Sequence, residues 1–360
     1  MLCFDEVTLF MKIVVLAGGL SPERNVSLST GTMVTEALRG LGHHAALVDL
    51  FFGLEEQNGS LNEYFDAPIS EEFKKISSAA PDLEQVRAGR KDKSASVFGP
   101  GVLELCGMAD IVFLALHGTC GEDGRVQAAF DLLGIPYTGA GYLSSAIAMD
   151  KDLTKRLVAD VVTTPAWKTV EYTAEDIDVL VNEAQLPLVV KPVASGSSIG
   201  VSIARTKEEL RVALTEGLTV GGRTVLEQYI SGREIGVGLL EEEALPSIEI
   251  IPKEGFYDYA NKYQPGAAIE VCPSEIAPEA EEKLRAAALA VYRAIGLSVY
   301  SRADFILDEN GEVWFLEINT LPGMTPTSLL PQEAAAVGIG YPQLCQRILD
   351  ASLEARKQGR

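Results

Sequence analysis

The reading of the fold turns on one stretch near the end of the chain. It runs Val299-Tyr300-Ser301-Arg302-Ala303-Asp304-Phe305-Ile306-Leu307, then Asp308-Glu309-Asn310-Gly311, then Glu312-Val313-Trp314-Phe315-Leu316-Glu317-Ile318, with Asn319 next. Two apolar-alternating runs flank an Asn-Gly pair, a strong tight-hairpin signal. Side chains two apart share a strand face. Arg302 and Asp304 therefore point one way, as do Glu317 and Asn319 on the partner strand. The alternate residues Ala303, Phe305, Leu316 and Ile318 are apolar and read as the core face. Two carboxylates, an amide and a guanidinium gathered on one surface suit Mg²⁺, and a bridging carboxylate holds two such ions beside phosphate. The same pattern also describes an exposed strand face with a cross-strand salt bridge, and spacing leaves both readings open.

Outward from this hairpin, Glu279–Ile295 reads as a helix with Leu284, Ala288, Val291 and Ile295 on one face, and Tyr341–Leu353 as a closing helix. In the middle third, Leu188–Lys191, Ile199–Ala204, Thr224–Tyr229 and Ile235–Leu240 read as short strands, with only Lys207–Glu216 between them clearly helical, so an α+β unit built on hairpins is expected. The first third differs. Lys12–Ala17, Ala45–Leu50 and Ile111–Leu116 are buried-strand runs. Helices follow, one carrying Val26, Met33, Ala37, Leu38 and Leu41 and stopping at Gly42, another near Val126–Leu133. This β-α-β order predicts a parallel sheet. Leu54–Pro100 reads as a long polar connection with one short helix.

Composition narrows the function. Thirty Lys and Arg against 51 Asp and Glu give a formal charge of −21 over 360 residues, which argues against a nucleic-acid or anionic-membrane partner held by a general field. Five widely spaced Cys and three His read as reduced thiols in a cytoplasmic protein, with neither a disulfide frame nor a His-based metal centre. No apolar run is long enough to span a membrane. The first ten residues lack a basic segment and read as an extension rather than a signal peptide.

Two loops have the chemistry of ligand sites. Lys191 ends a buried strand and is followed by the small residues Ser195-Gly196-Ser197-Ser198, whose amides can close on an anion beside the lysine charge. A plain hairpin turn is the alternative. Gly18-Gly19-Leu20-Ser21-Pro22-Glu23-Arg24 lies at the carboxyl end of a parallel strand, where α/β folds bind ligands; it also reads as a helix start with an acid near the positive end. His117, at the end of another strand, reads as a capping or core histidine or as a site residue. There is no GxGxxG or GxxxxGK[ST] pattern, so neither a nicotinamide enzyme nor a P-loop is supported.

Taken together, these segments resemble the D-alanine–D-alanine ligase family of the ATP-grasp superfamily. The resemblance runs from Lys12 to about Leu349. It is carried by Ala17-Gly18-Gly19-Leu20-Ser21-Pro22-Glu23-Arg24, Leu116-His117-Gly118 with Gly121-Glu122-Asp123-Gly124, Met149-Asp150-Lys151, and Val190-Lys191-Pro192 with Gly196-Ser197-Ser198-Ile199-Gly200. Further on it is carried by Glu227 through Glu234, Phe256-Tyr257-Asp258-Tyr259 with Lys262-Tyr263, Arg302-Ala303-Asp304, and Leu316-Glu317-Ile318-Asn319-Thr320-Leu321-Pro322-Gly323-Met324-Thr325.

The resemblance implies a mixed α/β and α+β ATP-grasp fold, a parallel-sheet domain followed by two α+β domains that clamp ATP. The implied boundaries are an extension over 1–10 and domains over 11–139, 140–226 and 227–360. The implied activity joins two D-alanines through a D-alanyl phosphate, using ATP and two Mg²⁺ or Mn²⁺, for peptidoglycan synthesis in a cytoplasmic homodimer. Glu23 holds the ammonium of the first D-alanine and forms a hydrogen-bonded set with Ser197 and Tyr263. Lys151, Lys191, Ser198 and Lys262 serve the phosphates, Lys262 from a closing loop around Pro252–Gly266. Glu227 and the backbone after it hold adenine, and Glu234 the ribose. Asp304, Glu317 and Asn319 hold the metals, and Arg302 and the Gly323 amide the oxyanion. Ser328 and Leu329 contact the second D-alanine, and His117 belongs to the substrate site. Tyr263 favours an amine acceptor. D-serine as acceptor and a catalytically inactive nucleotide-binding module are the alternatives.

Overall fold

The protein was analysed as a computed structural model that describes residues 10–54, 59–70, 73, 81–196, 198–253 and 267–359. The strands form three sheets. Lys12–Ala17 runs parallel to His44–Asp49 on one side and to Ile111–Leu114 on the other. A second, antiparallel sheet joins Trp167–Glu171, Arg223–Gln228, Leu188–Pro192 and Ser202–Ala204 in that order. The third is antiparallel and six-stranded, with Arg233–Leu240 and Tyr300–Leu307 at its centre and Val313–Asn319 on the edge.

The first helix, Arg24–Gly40, lies close on the parallel sheet because its contact face is small. A Cβ on Gly31 would stand 2.6 Å from Ala17 Cβ. The buried residues are Arg24, Ser27, Ser29, Thr30, Gly31, Thr32, Val34, Thr35 and Leu38; of the expected apolar face Leu38 is buried, whereas Val26, Met33, Ala37 and Leu41 are only partly so. The sheet takes a face of small residues in preference to the larger apolar ones. Ser27 serves as a tie: its hydroxyl donates to the Ala115 carbonyl (2.6 Å) and accepts the Gly18 amide (2.8 Å).

Helix Pro278–Ile295 packs Leu284, Ala288, Val291 and Ile295 against Val237, Ala303, Phe305 and Phe315 of the six-stranded sheet, as its periodicity predicts. The closing helix, Tyr341–Lys357, returns to the parallel sheet, and its Leu344, Ile348 and Leu349 share a core with Ile13, Leu16 and Phe113. The four-stranded sheet has its own core with helices Ile177–Glu183 and Lys207–Thr219.

Several expectations need correction. Between Leu188 and Leu240 the one helix among the described residues is Lys207–Thr219, as expected, while Tyr142–Met149, Lys151–Val158 and Ile177–Glu183 ahead of it are helices the sequence reading did not place. The first two are short and meet at Asp150, so neither shows a sustained period. Strand Ser202–Ala204 starts later than Ile199, because Ser198 and Gly200 take positive φ in the preceding turn. Leu316 does not join the core. The pairing shifts between Asp304/Glu317 and Phe305/Phe315, so Leu316 is the extra residue of a β-bulge and lies on the same side as Glu317. Phe315 takes the core position instead.

One buried ion pair holds the loop that leads into the first helix. Arg24 is bound to Asp49, donates to the Gly19 carbonyl at 2.7 Å and stacks over Phe52. Asp49 also accepts the Phe51 and Phe52 amides. Asp49→Asn leaves the guanidinium without a countercharge inside the protein. We expect it to lower stability by about 3–5 kcal/mol, the usual result of breaking a buried pair, measured by urea unfolding. A loss below about 1 kcal/mol would show that the pair is not what fixes this loop.

Candidate active site

A cavity of about 370 Å³ lies between the four-stranded and six-stranded sheets. Its apolar part is formed by Val189, Val201, Ile203, Ile251, Ile306 and the bulged Leu316. Its polar and charged lining includes Lys151, Lys191, Ser198, Glu227, Glu234, Asp304 and Glu317. Seven residues named from the sequence thus share one cavity. Asn319 lies in a smaller recess that shares Lys151 and Glu317 with it.

The charges are paired. Glu227 is buried between two lysines, 2.5 Å from Lys191 Nζ and 2.6 Å from Lys155 Nζ. Burial alone would raise the Glu227 carboxyl, but the two ammonium groups hold it below its ordinary value. Burial works to lower Lys191, yet Glu227 and Glu317 raise it, so it stays protonated. Lys155, 1% exposed, is lowered by burial with Glu227 resisting. It was not found from sequence, although its place one turn after Lys151 on helix Lys151–Val158 puts the two on one helix face.

Lys151 Nζ lies 3.1 Å from Glu317 and donates to the Ser195 carbonyl at 2.7 Å, while its amide donates to Val193. The lysine thereby fixes the loop after Lys191 against the metal-candidate strand. Across the hairpin, Asp304 stands opposite Glu317 and Arg302 opposite Asn319. Arg302 donates to both Asp304 oxygens (2.7 and 2.9 Å), and Asn319 Nδ2 donates to Asp304 Oδ2 (2.9 Å). The shared face read from spacing holds for all four residues.

Glu23 comes from the other side. It is buried at the start of helix Arg24–Gly40. A Cβ on Gly118 would stand 2.5 Å from its Oε2, and one on Gly196 2.7 Å away. Two bare glycines therefore seat this carboxylate between the parallel-sheet domain and the loop after Lys191.

His117 donates from Nδ1 to the Leu321 carbonyl (3.0 Å), and Nε2 accepts from Thr30 Oγ1 (3.1 Å). Burial holds the ring below its ordinary value despite the nearby Glu23 charge. Both ring nitrogens are engaged inside the protein. Glu122, quoted from the sequence but given no role there, accepts the Gly118 amide at 2.7 Å and the Leu321 amide at 3.4 Å. Burial, then the Glu23 charge, push its carboxyl up to about 8.

The segment after the hairpin brings Gly323 to Ser328: a Cβ on Gly323 would lie 2.9 Å from Ser328 Oγ. Ser328 Oγ accepts the Thr325 amide at 3.1 Å. Leu329 is buried with Ile248 and Ile250. Ser197, Lys262 and Tyr263 lie outside the described residues.

Residues 12–140 match a family model described as D-ala D-ala ligase N-terminus, and residues 158–350 one described as D-ala D-ala ligase C-terminus. A D-alanine--D-alanine ligase of Pediococcus pentosaceus is 41% identical over 341 residues, 94% of this chain and 97% of that protein. One of Lacticaseibacillus casei is 39% identical over 351 residues, 97% of this chain and 98% of that protein. Among solved structures, the Bacillus anthracis D-alanine--D-alanine ligase complexed with ATP aligns with a TM-score of 0.73 at 31% identity, covering 97% of this chain and all of that one. The VanG D-Ala:D-Ser ligase of Enterococcus faecalis aligns with a TM-score of 0.73 at 28% identity, covering 96% of this chain and all of that one. With both parts of the chain matched and the likeness running nearly end to end, this chain belongs to the D-alanine–D-alanine ligase family.

Proposed function

We propose that the chain joins two D-alanines to D-alanyl-D-alanine, with conversion of ATP to ADP and phosphate. The observation that carries this reading is the mixed lining of one cavity: apolar side chains that suit a base, together with Lys151 and Lys191 and the carboxylates Asp304 and Glu317. A carboxylate is a poor electrophile and must be activated. The first D-alanine, its ammonium on Glu23, attacks the γ-phosphorus through a carboxylate oxygen. ADP leaves, and Lys151 and Lys191 offset the charge on the transferring group. Adenine lies against Glu227 and the backbone that follows, and the ribose against Glu234. The amine of the second D-alanine, set by Ser328 and Leu329, then attacks the acyl carbon, and phosphate leaves. Arg302 and the Gly323 amide face the oxyanion of that step. Ser198, Ser197, Lys262 and Tyr263 complete the phosphate and loop contacts on the family pattern, and His117 holds the substrate segment from behind.

The donor set fits divalent cations. Asp304, Glu317 and Asn319 supply hard oxygens on adjoining strands, and Asp304 and Glu317 are now balanced by Arg302 and Lys151. Among the described residues no group of three or more His, Cys, Asp or Glu forms a metal cage. Two carboxylates and an amide completed by phosphate oxygens is the arrangement Mg²⁺ ordinarily accepts. Bound there, Mg²⁺ or Mn²⁺ would neutralise triphosphate charge.

The reading includes peptidoglycan precursor supply in the cytoplasm, a homodimer, and no nucleic-acid or membrane partner. The charge of −21 speaks against a polyanionic partner held by a general field; among the described residues no helix is long and apolar enough to cross a membrane. Exposed Leu132, Leu133, Tyr142 and Leu143 on neighbouring helices offer apolar surface for a second copy. The likeness to a D-Ala:D-Ser ligase keeps D-serine as the competing acceptor.

The deciding assay is phosphate release from ATP with D-alanine or D-serine as the added amino acid, with the dipeptide identified. Release that ignores both would favour a nucleotide-binding module, and preference for D-serine the other acceptor. In the same assay Glu317→Gln is expected to lose about a hundredfold or more of turnover while staying folded. Near-normal release at ordinary Mg²⁺ would remove Glu317 from the metal site.

Lys191→Ala is expected to raise the KM for ATP by about tenfold or more, the scale of one charge-assisted hydrogen bond. The KM for D-alanine should move much less. Equal changes in both would take Lys191 away from the phosphates.

Glu122 gives a pH signature. Its folded carboxyl titrates at about 8, whereas an unfolded glutamate titrates near about 4.3. Between these values the folded state keeps a proton the unfolded state has lost, so stability falls as pH rises through that window. Glu122→Gln cannot ionise, and its urea midpoint should decline less steeply from about pH 5 to 8. Identical slopes in parent and variant would mean that Glu122 carries no such proton.

A further inference from the structure

Glu333 stands in helix Leu329–Ala336 between the buried Leu330 and Ala334, and is itself fully buried. Its Oε1 accepts the Gly238 amide at 2.6 Å. The ladder explains that contact. Strand Arg233–Leu240 pairs with Ile248–Pro252 as far as Gly236 and with Glu243–Ala244 from Leu239 onward, so Gly238 lies where the partner changes. Closing this gap uses one oxygen. The other, Oε2, is buried and has no hydrogen-bond partner among the described residues.

Oε2 lies beside the Arg302–Asp304 pair. Gly236 stands opposite Asp304 and Gly238 opposite Arg302, and positions 236 and 238 share a strand face. A Cβ on Gly236 would lie 3.4 Å from Arg302 Cδ, and one on Gly238 2.6 Å from Glu333 Oε2. Two bare positions make a floor on which the Arg302 side chain and the Glu333 carboxyl lie side by side. Burial, with Asp304 and Glu281 adding to it, pushes the Glu333 carboxyl up to about 8, while the Gly238 amide and the Arg302 charge pull it down, so the guanidinium favours the ionised form.

One anion cannot serve two cations equally well. Both Asp304 oxygens are taken by Arg302, and one also by Asn319. A divalent cation on Asp304 repels the guanidinium and withdraws its acceptor, and an unpaired cation is costly in a largely buried place. We propose that Glu333 is a positioning residue for Arg302, the second acceptor that receives the guanidinium when Asp304 binds a divalent cation. Arg302 then keeps a fixed place over the acyl centre through the metal-bound part of the cycle. The inference rests on the reading of Asp304 as a metal ligand.

The test is Mn²⁺ binding, read from the EPR signal of free Mn²⁺ in the presence of a non-hydrolysable ATP analogue. The parent is compared with Glu333→Gln, which keeps an oxygen for Gly238, and with Glu333→Met, which buries no polar atom. Both variants are expected to bind Mn²⁺ about fivefold or more weakly, the scale of a modest site-to-site coupling. Analogue affinity without metal should stay within about twofold, less than that coupling. In an Arg302→Met background, Glu333→Gln should no longer matter, because the guanidinium it would receive is gone. Unchanged Mn²⁺ affinity in Glu333→Gln or Glu333→Met would overturn the inference. So would a loss that persists without Arg302, since that is the field of a nearby charge acting directly. A parent that binds no Mn²⁺ would instead overturn the metal reading of Asp304.

Discussion

The antiparallel pairing of Tyr300–Leu307 with Val313–Asn319 brings two carboxylates, Asp304 and Glu317, directly opposite each other. Like charges so placed destabilise a strand pair unless something offsets them. Here Arg302 grips Asp304 with two hydrogen bonds and Lys151 reaches Glu317 from the neighbouring helix. The opposite face supplies the adhesion: Ala303, Phe305, Phe315 and Ile318 pack on helix Pro278–Ile295, with Phe305 and Phe315 in edge contact at 5.7 Å. An apolar face thus holds together an acidic face that would not pair by itself, and the acidic face is what a polyphosphate with its cations needs.

The same logic runs through the cavity. The chain is strongly acidic, so no general field draws an anionic nucleotide to it. The attraction has to be local and kept ready. Glu227 holds Lys191 at 2.5 Å. On the proposed reading a triphosphate competes for that lysine, and Lys155 at 2.6 Å is left to balance the buried carboxylate. Without Lys155, moving Lys191 to a phosphate would strand Glu227 as an unpaired buried charge, a costly state. On that reading the second lysine is what would let the first one move.

Much of this was legible in the sequence. The hairpin, its Asn-Gly turn, the faces of Arg302, Asp304, Glu317 and Asn319, the parallel strands of the first domain and the helix over Glu279–Ile295 all follow from periods of 2 and 3.6. The misreadings arose where a period fails. The bulge at Leu316 adds one residue, so alternation sends that side chain to the wrong side. The first helix buries Ser27 and Gly31 because close approach counts for more there than apolar area. The helices meeting at Asp150 were not placed at all, because each is too short to show a sustained period. Lys155 was within reach, one turn beyond Lys151. Glu333 was not: an acid in an apolar helical run reads as a surface position, and its burial follows from a break in a ladder ninety-odd residues earlier.

The site also depends on which parts of the chain share a core. The segment after the hairpin is tied to the parallel-sheet domain: Leu321 and Met324 lie in the first core, His117 holds the Leu321 carbonyl, and Glu122 takes the Leu321 amide. The closing helix packs back on the same sheet. Glu23 lies on the first core, and the strand that carries Arg302 and Asp304 spans the first core at Tyr300 and the second at Ala303 and Phe305. The four-stranded sheet, with Lys191 and Glu227, has a separate core built from its own two helices. It meets the rest of the chain through polar contacts such as Lys151 with Ser195 and Arg223 with Asp150. Apolar burial therefore fixes one wall of the cavity far more firmly than it fixes the two walls to each other. A ligand that bridges the walls adds binding energy where the protein's own cores add least.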